Sequence, residues 1–424
     1  MVIGTPQTGK KSRIVVIGGG AAGFFGAIAG AEVNPSAQVT VLEAGRECLA
    51  KVRISGGGRC NVTHHCFDPA ALVHHYPRGA KALRGAFSRF QPKDTIAWFT
   101  RRGVELKTEA DGRMFPTTDD SGTIVDCLMT AARQAGVKLW LGAMVKTVEK
   151  VGETFRVHLR SGDELVCDRL LLATGSSPQG YQLAKALGHT IVPPVPSLFT
   201  LTIRDPRLQD LAGVAVSNAH LKLQVEGDSA KLEQTGPVLI THWGLSGPAV
   251  LKLSAWGARL LHQTRYQAKL RINWLPSSTP DNLRQELLKV KSQLAKKTIA
   301  GNCPVMLPRR LWESLVVQVG ITPQARWADF SKPAMNALIQ ELFQGEYVVS
   351  GKGVFKEEFV TCGGVELKEV DFKTLESRIC PGLYFAGEVL DIDGVTGGFN
   401  FQSAWTTGWL AGQAIGQGCD HPIH

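Results

Sequence analysis

Cys60 is a residue whose type and neighbours suggest chemistry. It lies between Arg59 and Asn61 and follows three consecutive glycines at 56–58. A thiol becomes reactive when its pKa is lowered, and a neighbouring guanidinium has that effect. The pattern therefore predicts an active-site segment over 51–61, with Cys60, Arg59 and Asn61 as candidate catalytic residues. The alternative is that Cys60 is a buried thiol that only fills space in the core.

The glycines of this segment indicate that a ligand lies against it. Three consecutive glycines are costly to order, and they are typical of places where the backbone approaches another group closely. We interpret the segment, including Gly57, as a wall over a cofactor ring. The histidines and cysteines over 60–75 match no common spacing of zinc ligands, so no metal site is expected.

A second glycine pattern, GxGxxG, occurs at Gly18, Gly20 and Gly23, directly after the apolar run RIVVI at 13–17. The first glycine permits a tight turn, the second lets the backbone reach a pyrophosphate, and the third lets a helix pack closely. Free N–H groups at the start of that helix favour the negative charge. Glu43 lies 20 residues after the last glycine and can accept hydrogen bonds from a ribose. The pattern predicts dinucleotide binding, and the alternative is a turn that only packs a helix on a strand.

Two later segments extend the predicted site. An apolar strand ends in a small-residue turn at 173–175. In folds that bind two dinucleotides, a turn of this kind closes the half of the fold that binds FAD. Near the C-terminus, a strand ends at a Gly-Glu pair that can hold ribityl hydroxyls. A glycine-rich loop then leads into a helix whose N-terminus can face the pyrimidine edge of a flavin. The alternative is a loop that only braces the sheet. The candidate cofactor residues of these segments are Ala173, Thr174, Gly175, Gly387, Glu388, Asp393, Gly397, Gly398, Phe399 and Asn400.

The chain contains no second GxGxxG pattern. A dedicated nicotinamide-binding domain is therefore not expected. NADH or NADPH would bind transiently beside the flavin, or the reductant is a different molecule.

An α/β fold must position these segments. The run at 13–17, the glycine turn, a helix of small residues and the run QVTVL at 38–42 form a strand–turn–helix–strand unit of the Rossmann kind. The middle of the chain differs, with a hairpin expected around Gly227-Asp228 and helical apolar spacing over 281–297. We expect a Rossmann-like domain at 10–195 and 352–424, a β-rich inserted domain at 196–275 and 346–351, and a small helical domain at 276–345.

Composition narrows the class of protein. The chain has 424 residues, of which 44% are hydrophobic and 20% charged, as in globular proteins. It has no apolar run of about 18 residues and a polar N-terminus, so neither a membrane span nor a secretory signal is expected. Its nine cysteines form no CxxC pair, which favours reduced thiols and a cytoplasmic location.

The positive charge is concentrated near the predicted active-site segment. The whole chain has a formal net charge of +10. Residues 46–113 contain 13 Lys or Arg and 6 Asp or Glu, a net charge of +7. Such a surface suits a polyanion such as RNA. The alternative is that some of these cations serve cofactor phosphates and the others are simply solvated.

Four longer motifs occur in order along nearly the whole chain: KVRISGGGRCNVTH, THWGLSGPAVLKLS, VTCGGVELKEVD and YFAGEVLDIDGVTGGFNFQSAWTTGWLAG. With them the sequence resembles the BaiN/RdsA (YhiN-like) NAD(P)/FAD-dependent oxidoreductases. The resemblance implies an α/β fold: a discontinuous Rossmann-like FAD-binding domain, an inserted β-barrel-like domain and a small helical domain. Phe399 stands where that family often has a tyrosine. The FAD contacts implied by the resemblance are Gly18, Gly20, Ala21, Ala22, Glu43, Arg53, Gly58, Gly387 and Asn400.

The resemblance leaves the substrate open. Members of the family act on bile-acid intermediates, on aminoacetone or on uridine in large-subunit ribosomal RNA. One hypothesis is therefore reduction of uridine to dihydrouridine, with Cys60 as proton donor and the basic segment binding RNA. A second is a small-molecule flavoenzyme, either an enone reductase or an amine oxidase. A third is a non-enzymatic, FAD-stabilised factor that binds RNA.

Overall fold

The computed structural model describes residues 11–225, 231–353 and 360–417. The chain divides into two compact units. The first contains the chain up to Pro194 together with the part from Val360 onward, and the second contains Val195–Phe359. The boundaries of the three expected domains stay predictions.

The strands of the described residues are short, and most have alternating or continuous burial. In chain order they are Arg13–Ile17 (β1), Gln38–Leu42 (β2), Thr63–His64 (β3), Leu106–Thr108 (β4), Arg113–Pro116 (β5), Lys138–Trp140 (β6), Val145–Val151 (β7), Thr154–Leu159 (β8), Glu164–Cys167 (β9), Arg169–Leu172 (β10), Ile191–Ser197 (β11), Leu201–Ile203 (β12), Ala215–Gln224 (β13), Leu232–Thr241 (β14), Gly244–Ser246 (β15), Ala268–Asn273 (β16), Gly345–Lys352 (β17), Val360–Val365 (β18), Val370–Asp371 (β19), Glu376–Ser377 (β20) and Leu383–Phe385 (β21).

Several helices begin at a proline, whose fixed φ suits the first helical position and whose missing N–H has no acceptor there. Within the described ranges, no helix combines the length and apolar character needed to cross a membrane. The helices are Ala21–Val33 (α1), Ala50–Gly58 (α2), Pro69–Leu72 (α3), Ala80–Phe87 (α4), Pro92–Thr100 (α5), Ser121–Gln134 (α6), Pro178–Ala186 (α7), Pro248–Trp256 (α8), Ala258–Gln263 (α9), Pro280–Gln293 (α10), Arg309–Gln318 (α11), Lys332–Gln344 (α12) and Phe399–Gln417 (α13).

The first unit is built on a sheet with the strand order β19-β20-β21-β10-β1-β2-β6. Strand β1 pairs in parallel with both β2 and β10. Helix α1 connects β1 to β2, whereas β10, on the other side of β1, comes much later in the chain. The strand order therefore reverses at β1, and open α/β sheets bind ligands at such a reversal. The predicted strand–turn–helix–strand unit is confirmed.

The apolar strand that we expected before the turn at 173–175 is present as β10 and begins only at Arg169. The chain leaves β9 and enters β10 at Asp168, whose carboxylate accepts a hydrogen bond from the Arg13 N–H at 2.8 Å and pairs with the Arg13 guanidinium at 2.8 Å. The side chain therefore marks the point where the chain passes from the β7-β8-β9 sheet to the main sheet.

Helices α1 and α13 pack backbone against backbone. A Cβ on Gly408 would lie 2.6 Å from the Ala22 carbonyl oxygen, and a Cβ on Gly412 would lie 2.5 Å from that of Gly26. Real Cβ atoms do not approach carbonyl oxygens so closely, so both positions require glycine. Both contacts advance by four residues in the same direction, and the two helices are therefore parallel.

Buried polar groups attach α13 to its other neighbours. Gln402 is fully buried, and its Oε1 accepts hydrogen bonds from the hydroxyls of Thr63 at 2.6 Å and Thr95 at 3.0 Å. The indole of Trp405 donates to the Val62 carbonyl at 2.9 Å. Because an unpaired buried polar group costs free energy, this network fixes β3 and α5 against α13.

The second unit contains a closed barrel with the strand order β12-β15-β14-β13-β16-β17. The predicted hairpin is present as β13 and β14, while its Gly227-Asp228 turn lies outside the described residues. Three helices, α10 to α12, belong to this unit, and the predicted helix over 281–297 is present as α10 but ends at Gln293. Their apolar residues, such as Leu287, share one hydrophobic core with barrel residues such as Ile272. The expected α/β class with an inserted barrel is confirmed.

A buried imidazole stabilises the edge of the first unit. His189 is 3% exposed; its Nδ1 lies 3.1 Å from a Glu369 carboxylate oxygen, and its Nε2 lies 2.8 Å from the Ser377 hydroxyl. Since a carboxylate only accepts, the Nδ1–H donates and Nε2 accepts, which describes a neutral ring. Burial disfavours the imidazolium and lowers the pKa of His189 from its ordinary value of 6.5.

We expect the free energy of unfolding to decrease as the pH falls below about 6.5, because the unfolded chain then binds a proton that the folded His189 does not. The slope from this group is at most about 1.4 kcal/mol per pH unit. Denaturant unfolding of His189→Gln between pH 5 and 8 should show a shallower pH dependence than the wild type. The control His242→Gln, at an exposed position, should keep the wild-type slope. Equal slopes in all three proteins would contradict the assignment.

Candidate functional site

The glycines of the turn between β1 and α1 have two different roles, since two of them are needed for close packing and one faces open space. A Cβ on Gly18, whose φ is +112°, would lie 2.3 Å from the Ala173 carbonyl oxygen, and a Cβ on Gly23 would lie 1.9 Å from the Gly18 carbonyl oxygen. A Cβ on Gly20 would meet no described atom within 4 Å. Two of the three glycines therefore make the turn, and the third leaves the backbone open to an approaching group.

The start of α1 is suited to an anion. Gly20 is the N-cap residue and provides no side-chain cap, and the first turn holds no acidic residue. The N–H groups of Ala21 and Ala22 lie in that first turn, where a helix provides no acceptor. The helix dipole adds positive potential at the same end. These features match the binding of a pyrophosphate.

Glu43 lies directly after β2, as predicted. One carboxylate oxygen accepts a hydrogen bond from the Gly19 N–H at 2.8 Å, and the other accepts from the Gly45 N–H at 2.7 Å. These two bonds fix the orientation of the carboxylate. Each carboxylate oxygen has a second acceptor position, which a ribose hydroxyl can use.

The end of β10 provides an independent sign of a ligand. The Thr174 hydroxyl is buried and has no hydrogen-bond partner among the residues that the structure describes. Native structures seldom leave such a group unpaired. Next to it, Gly175 has a φ of +59°. Together with Gly20 and Glu43, these residues fit a dinucleotide cofactor.

Glu388 is held by two groups from distant parts of the chain. Its Oε2 lies 2.7 Å from the Lys51 ammonium, and its Oε1 accepts a hydrogen bond from the Thr361 N–H at 2.9 Å. Lys51 also reaches the Ser176 hydroxyl at 3.4 Å. No local pattern predicts the pairing of Lys51 with Glu388, because the two residues are more than 300 positions apart in the chain. The predicted contact of Glu388 with a ribityl chain stays a prediction.

The segment over 51–61 is not the continuous loop that we expected. Most of it is helix α2, which breaks at Ser55, with ψ of 152°, and at Gly56 and Gly57, with φ of 58° and 70°. Val52 is buried and holds the helical turn in place. Arg53, Gly57 and Gly58 are exposed, and their predicted cofactor contacts stay predictions.

The predicted low pKa of Cys60 is wrong. Its side chain is fully buried, and burial raises the pKa of the thiol to about 12. The Arg59 guanidinium instead pairs with Glu109 at 2.7 Å and lies 4.0 Å from the centre of the Phe115 ring. Loss of hydration around a thiolate therefore dominates, and Cys60 acts as a packing residue.

Three further predicted site residues hold loops together. Asp393 is fully buried and forms an ion pair with Arg78, so its carboxylate offers no surface to a cofactor. The Asn400 amide donates to the Gly394 carbonyl at 2.8 Å and accepts from its N–H at 2.8 Å. The predicted cofactor contact of the buried Asp393 carboxylate is thus corrected to a structural role, whereas that of the partly exposed Asn400 stays a prediction.

The third of these residues, Asn61, spans two elements. With its amide oriented by the hydrogen-bond network, the oxygen accepts from the Gly398 N–H at 2.9 Å and the nitrogen donates to the Thr63 carbonyl at 3.2 Å. Gly397 and Gly398 have φ values of +134° and +90° and lead directly into α13. Asn61 therefore positions the start of that helix.

Two imidazoles lie against the first residue of α13, a contact that no pattern in the sequence predicts. The His75 ring stacks on Phe399 with centroids 4.1 Å apart, and the His64 ring stacks on it at 4.6 Å. We had considered these histidines only as zinc ligands. Within the described ranges, no group of three His, Cys, Asp or Glu side chains is arranged to hold a metal ion.

The chain is similar to known proteins over nearly its whole length. The profile of the HI0933-like protein Rossmann domain matches residues 12–414. The 3-dehydro-bile acid delta(4,6)-reductase of Clostridium scindens is 30% identical over 96% of this chain and 99% of its own length. The ribosomal RNA dihydrouridine synthase of Escherichia coli is 32% identical over 96% of this chain and 98% of its own length.

A solved structure has a similar fold. The 3-ketosteroid-delta4-(5alpha)-dehydrogenase of Rhodococcus jostii, solved with 4-androstene-3,17-dione, aligns with a TM-score of 0.50. The alignment covers 97% of this chain and 98% of that one, at 15% sequence identity. At this identity the likeness describes the fold.

We expect Gly20→Ala and Gly23→Ala to differ sharply. The Gly20 variant should keep the cofactor-free stability within about 0.5 kcal/mol, since its Cβ meets nothing, and should bind the dinucleotide at least about tenfold more weakly. The Gly23 variant should lose about 2 kcal/mol of stability through overpacking. Thermal unfolding and cofactor titration measure the two effects. A Gly20 variant that binds the cofactor normally would contradict the assigned pyrophosphate position.

Proposed function

This chain belongs to the HI0933-like family, and from that premise we propose that it is a FAD-dependent oxidoreductase that reduces an activated carbon–carbon double bond. We further propose that the double bond is that of a uridine in large-subunit ribosomal RNA. The product would be dihydrouridine.

The first unit provides residues for each part of FAD. The amides of Ala21 and Ala22, beside Gly20, would hold the pyrophosphate, and Glu43 would hold the adenosine ribose. Thr174 would pair its hydroxyl with the cofactor. When bound, the flavin takes two electrons from a reductant and supplies them to the substrate as hydride. We place its ring at the start of α13, whose dipole would stabilise negative charge on the ring.

We propose NADH or NADPH as the reductant. The chain has one GxGxxG turn, so the nicotinamide would bind beside the flavin only during reduction. Anaerobic mixing of the FAD-loaded protein with each dinucleotide, followed by flavin absorbance, tests this step. Bleaching by neither one would reject nicotinamides as the electron source.

One observation favours RNA over a small substrate, namely the distribution of unpaired cations. Within the described part of 46–113, six of the 13 cations are ion-paired, as in Arg59 with Glu109 and Arg78 with Asp393. The other seven are exposed and form no ion pair with a described carboxylate. Five of these seven lie on or next to α4 and α5, and we call them the basic helix surface: Lys81, Arg84, Arg89, Lys93 and Arg101.

The basic helix surface is attached to the loop that precedes α13. Arg78, just before α4, pairs with Asp393, and Gly79 packs against Ile392 so closely that a Cβ there would lie 2.6 Å from its side chain. The cations are therefore held near the start of α13. A polyanion bound there would gain from release of its counterions, a gain that a neutral small molecule lacks.

The primary test is nucleoside mass spectrometry of large-subunit ribosomal RNA from cells with and without the gene. Loss of one dihydrouridine, restored by the wild-type gene, is the expected result. Unchanged dihydrouridine would reject the RNA substrate for this protein.

Reversal of charge on the basic helix surface should weaken RNA binding. We expect Lys81→Glu with Arg84→Glu to lower RNA affinity at least about tenfold and to reduce the salt dependence of log K by about 2. The matched control, Lys289→Glu with Lys296→Glu, changes the net charge equally at exposed positions of the second unit. FAD content should be normal in both. Equal effects of the two double variants would show that the charge acts nonspecifically.

The main alternative is reduction of a small enone, favoured by the similarity to the bile acid reductase over 96% of this chain. An enone steroid carries the same activated double bond next to a carbonyl. Turnover of an enone with NAD(P)H in the absence of RNA, together with unchanged dihydrouridine in the cells, would establish this alternative.

A further inference from the structure

Reduction of an activated double bond requires a proton as well as a hydride. The hydride adds to the carbon furthest from the carbonyl, and the carbon next to the carbonyl then needs an acid. Cys60 cannot serve, because it is fully buried with a pKa of about 12. Tyr76 is 1% exposed, and its hydroxyl donates to the Phe399 carbonyl at 2.7 Å. Neither group reaches a substrate at the start of α13.

The imidazole of His75 lies at the start of α13, where neither Cys60 nor Tyr76 can donate a proton to a substrate. Its ring is nearly parallel to that of Phe399, at an angle of 11° and a centroid distance of 4.1 Å. Phe399 is the first residue of α13, and His75 is partly exposed. An imidazole ordinarily titrates near neutral pH and is a common proton donor in enzymes.

The backbone around His75 is fixed from two sides. Its carbonyl accepts a hydrogen bond from the Val395 N–H at 2.9 Å. The hydroxyl of the next residue, Tyr76, is bound to Phe399, as described above. These two bonds hold the backbone of His75 in a fixed position relative to the loop that precedes α13.

His64, at the end of β3, packs beside His75 and Phe399. Its ring centre is 5.9 Å from that of His75 and 4.6 Å from that of Phe399. Its Nε2 lies 3.1 Å from the Asp111 carbonyl oxygen, which can only accept, so Nε2 carries a hydrogen. The ring also packs on Gly112, where a Cβ would lie 2.4 Å from its Cε1. The strand and the turn thus fix His64 in a single orientation.

We propose that His75 is the acid that protonates the substrate carbon, and that His64 positions it. In uridine, the C5=C6 π bond breaks, C6 gains hydride from the reduced flavin, and C5 gains the proton of the His75 imidazolium. Two electrons pass from the flavin to the substrate. The imidazole left neutral regains a proton from solvent. This proposal rests on the proposed reduction of an activated double bond, and it applies equally to an enone.

The test separates the two half-reactions. In His75→Gln, flavin reduction by NAD(P)H should stay within about twofold of the wild type, whereas reoxidation by the substrate should slow at least about 100-fold. In His75→Ala, reoxidation by the substrate should slow by the same factor, and added imidazole should restore its rate. His74→Gln is the matched control, since His74 is the exposed neighbour. Cys60→Ser should also reoxidise normally.

A second readout does not depend on turnover. In proteins labelled with ¹⁵N at histidine, loading of FAD should shift the ring signals of His75, and the signals of His74 should stay in place. Reoxidation of His75→Gln within about threefold of the wild type, or no shift of His75 on loading, would overturn the proposal. If the wild-type protein reduces neither RNA uridine nor an enone, then the proposed function itself fails, and the two failures are distinguishable.

Discussion

The contact between α1 and α13 is the constraint on which the candidate site depends. The two helices touch through backbone at Gly408 and Gly412, so each replaced glycine would push them apart. Because Ala22 faces Gly408, the start of α1 is level with Thr407, eight residues after α13 begins. At about 1.5 Å per residue, α13 extends roughly 12 Å past the start of α1. Two positive helix ends therefore point in the same direction at different depths, as the proposed pyrophosphate and flavin-ring positions require.

In such an arrangement the loops around the start of α13 must be fixed in place, and they must leave the N-terminus of the helix accessible. Polar side chains do this by bonding to each other or to backbone. Asn61 reaches Gly398, Asn400 closes onto Gly394, and Arg78 neutralises Asp393. Each of these side chains resembles a ligand-binding residue in type. In the structure each of them instead holds a loop near the start of α13.

Most of the fold and the local geometry of the glycine turn could be predicted from the sequence, whereas the long-range contacts of the candidate site could not, and this division has a physical cause. The glycine turn, the strands beside it and Glu43 follow from local patterns, because a tight turn and a close helix restrict which residues fit. The burial of Cys60 and the pairing of Lys51 with Glu388 depend on segments that are distant in sequence. No pattern within 51–61 contains that information. The stacking of His75 on Phe399 was missed for the same reason.

The distribution of charge distinguishes the candidate substrates better than the proposed redox site does. Every activated double bond needs the same hydride donor and the same kind of acid. Total charge is a poor guide, since close ion pairs neutralise part of the basic segment. The informative quantity is the charge left unpaired and where it lies. On α4 and α5 the unpaired cations follow Arg78, which is itself bound to the loop before α13. A bile-acid-like steroid carries a single carboxylate and would gain little from several cations fixed there, whereas an RNA strand must neutralise many phosphates around the base that enters. The position of these charges therefore argues for a polyanionic substrate.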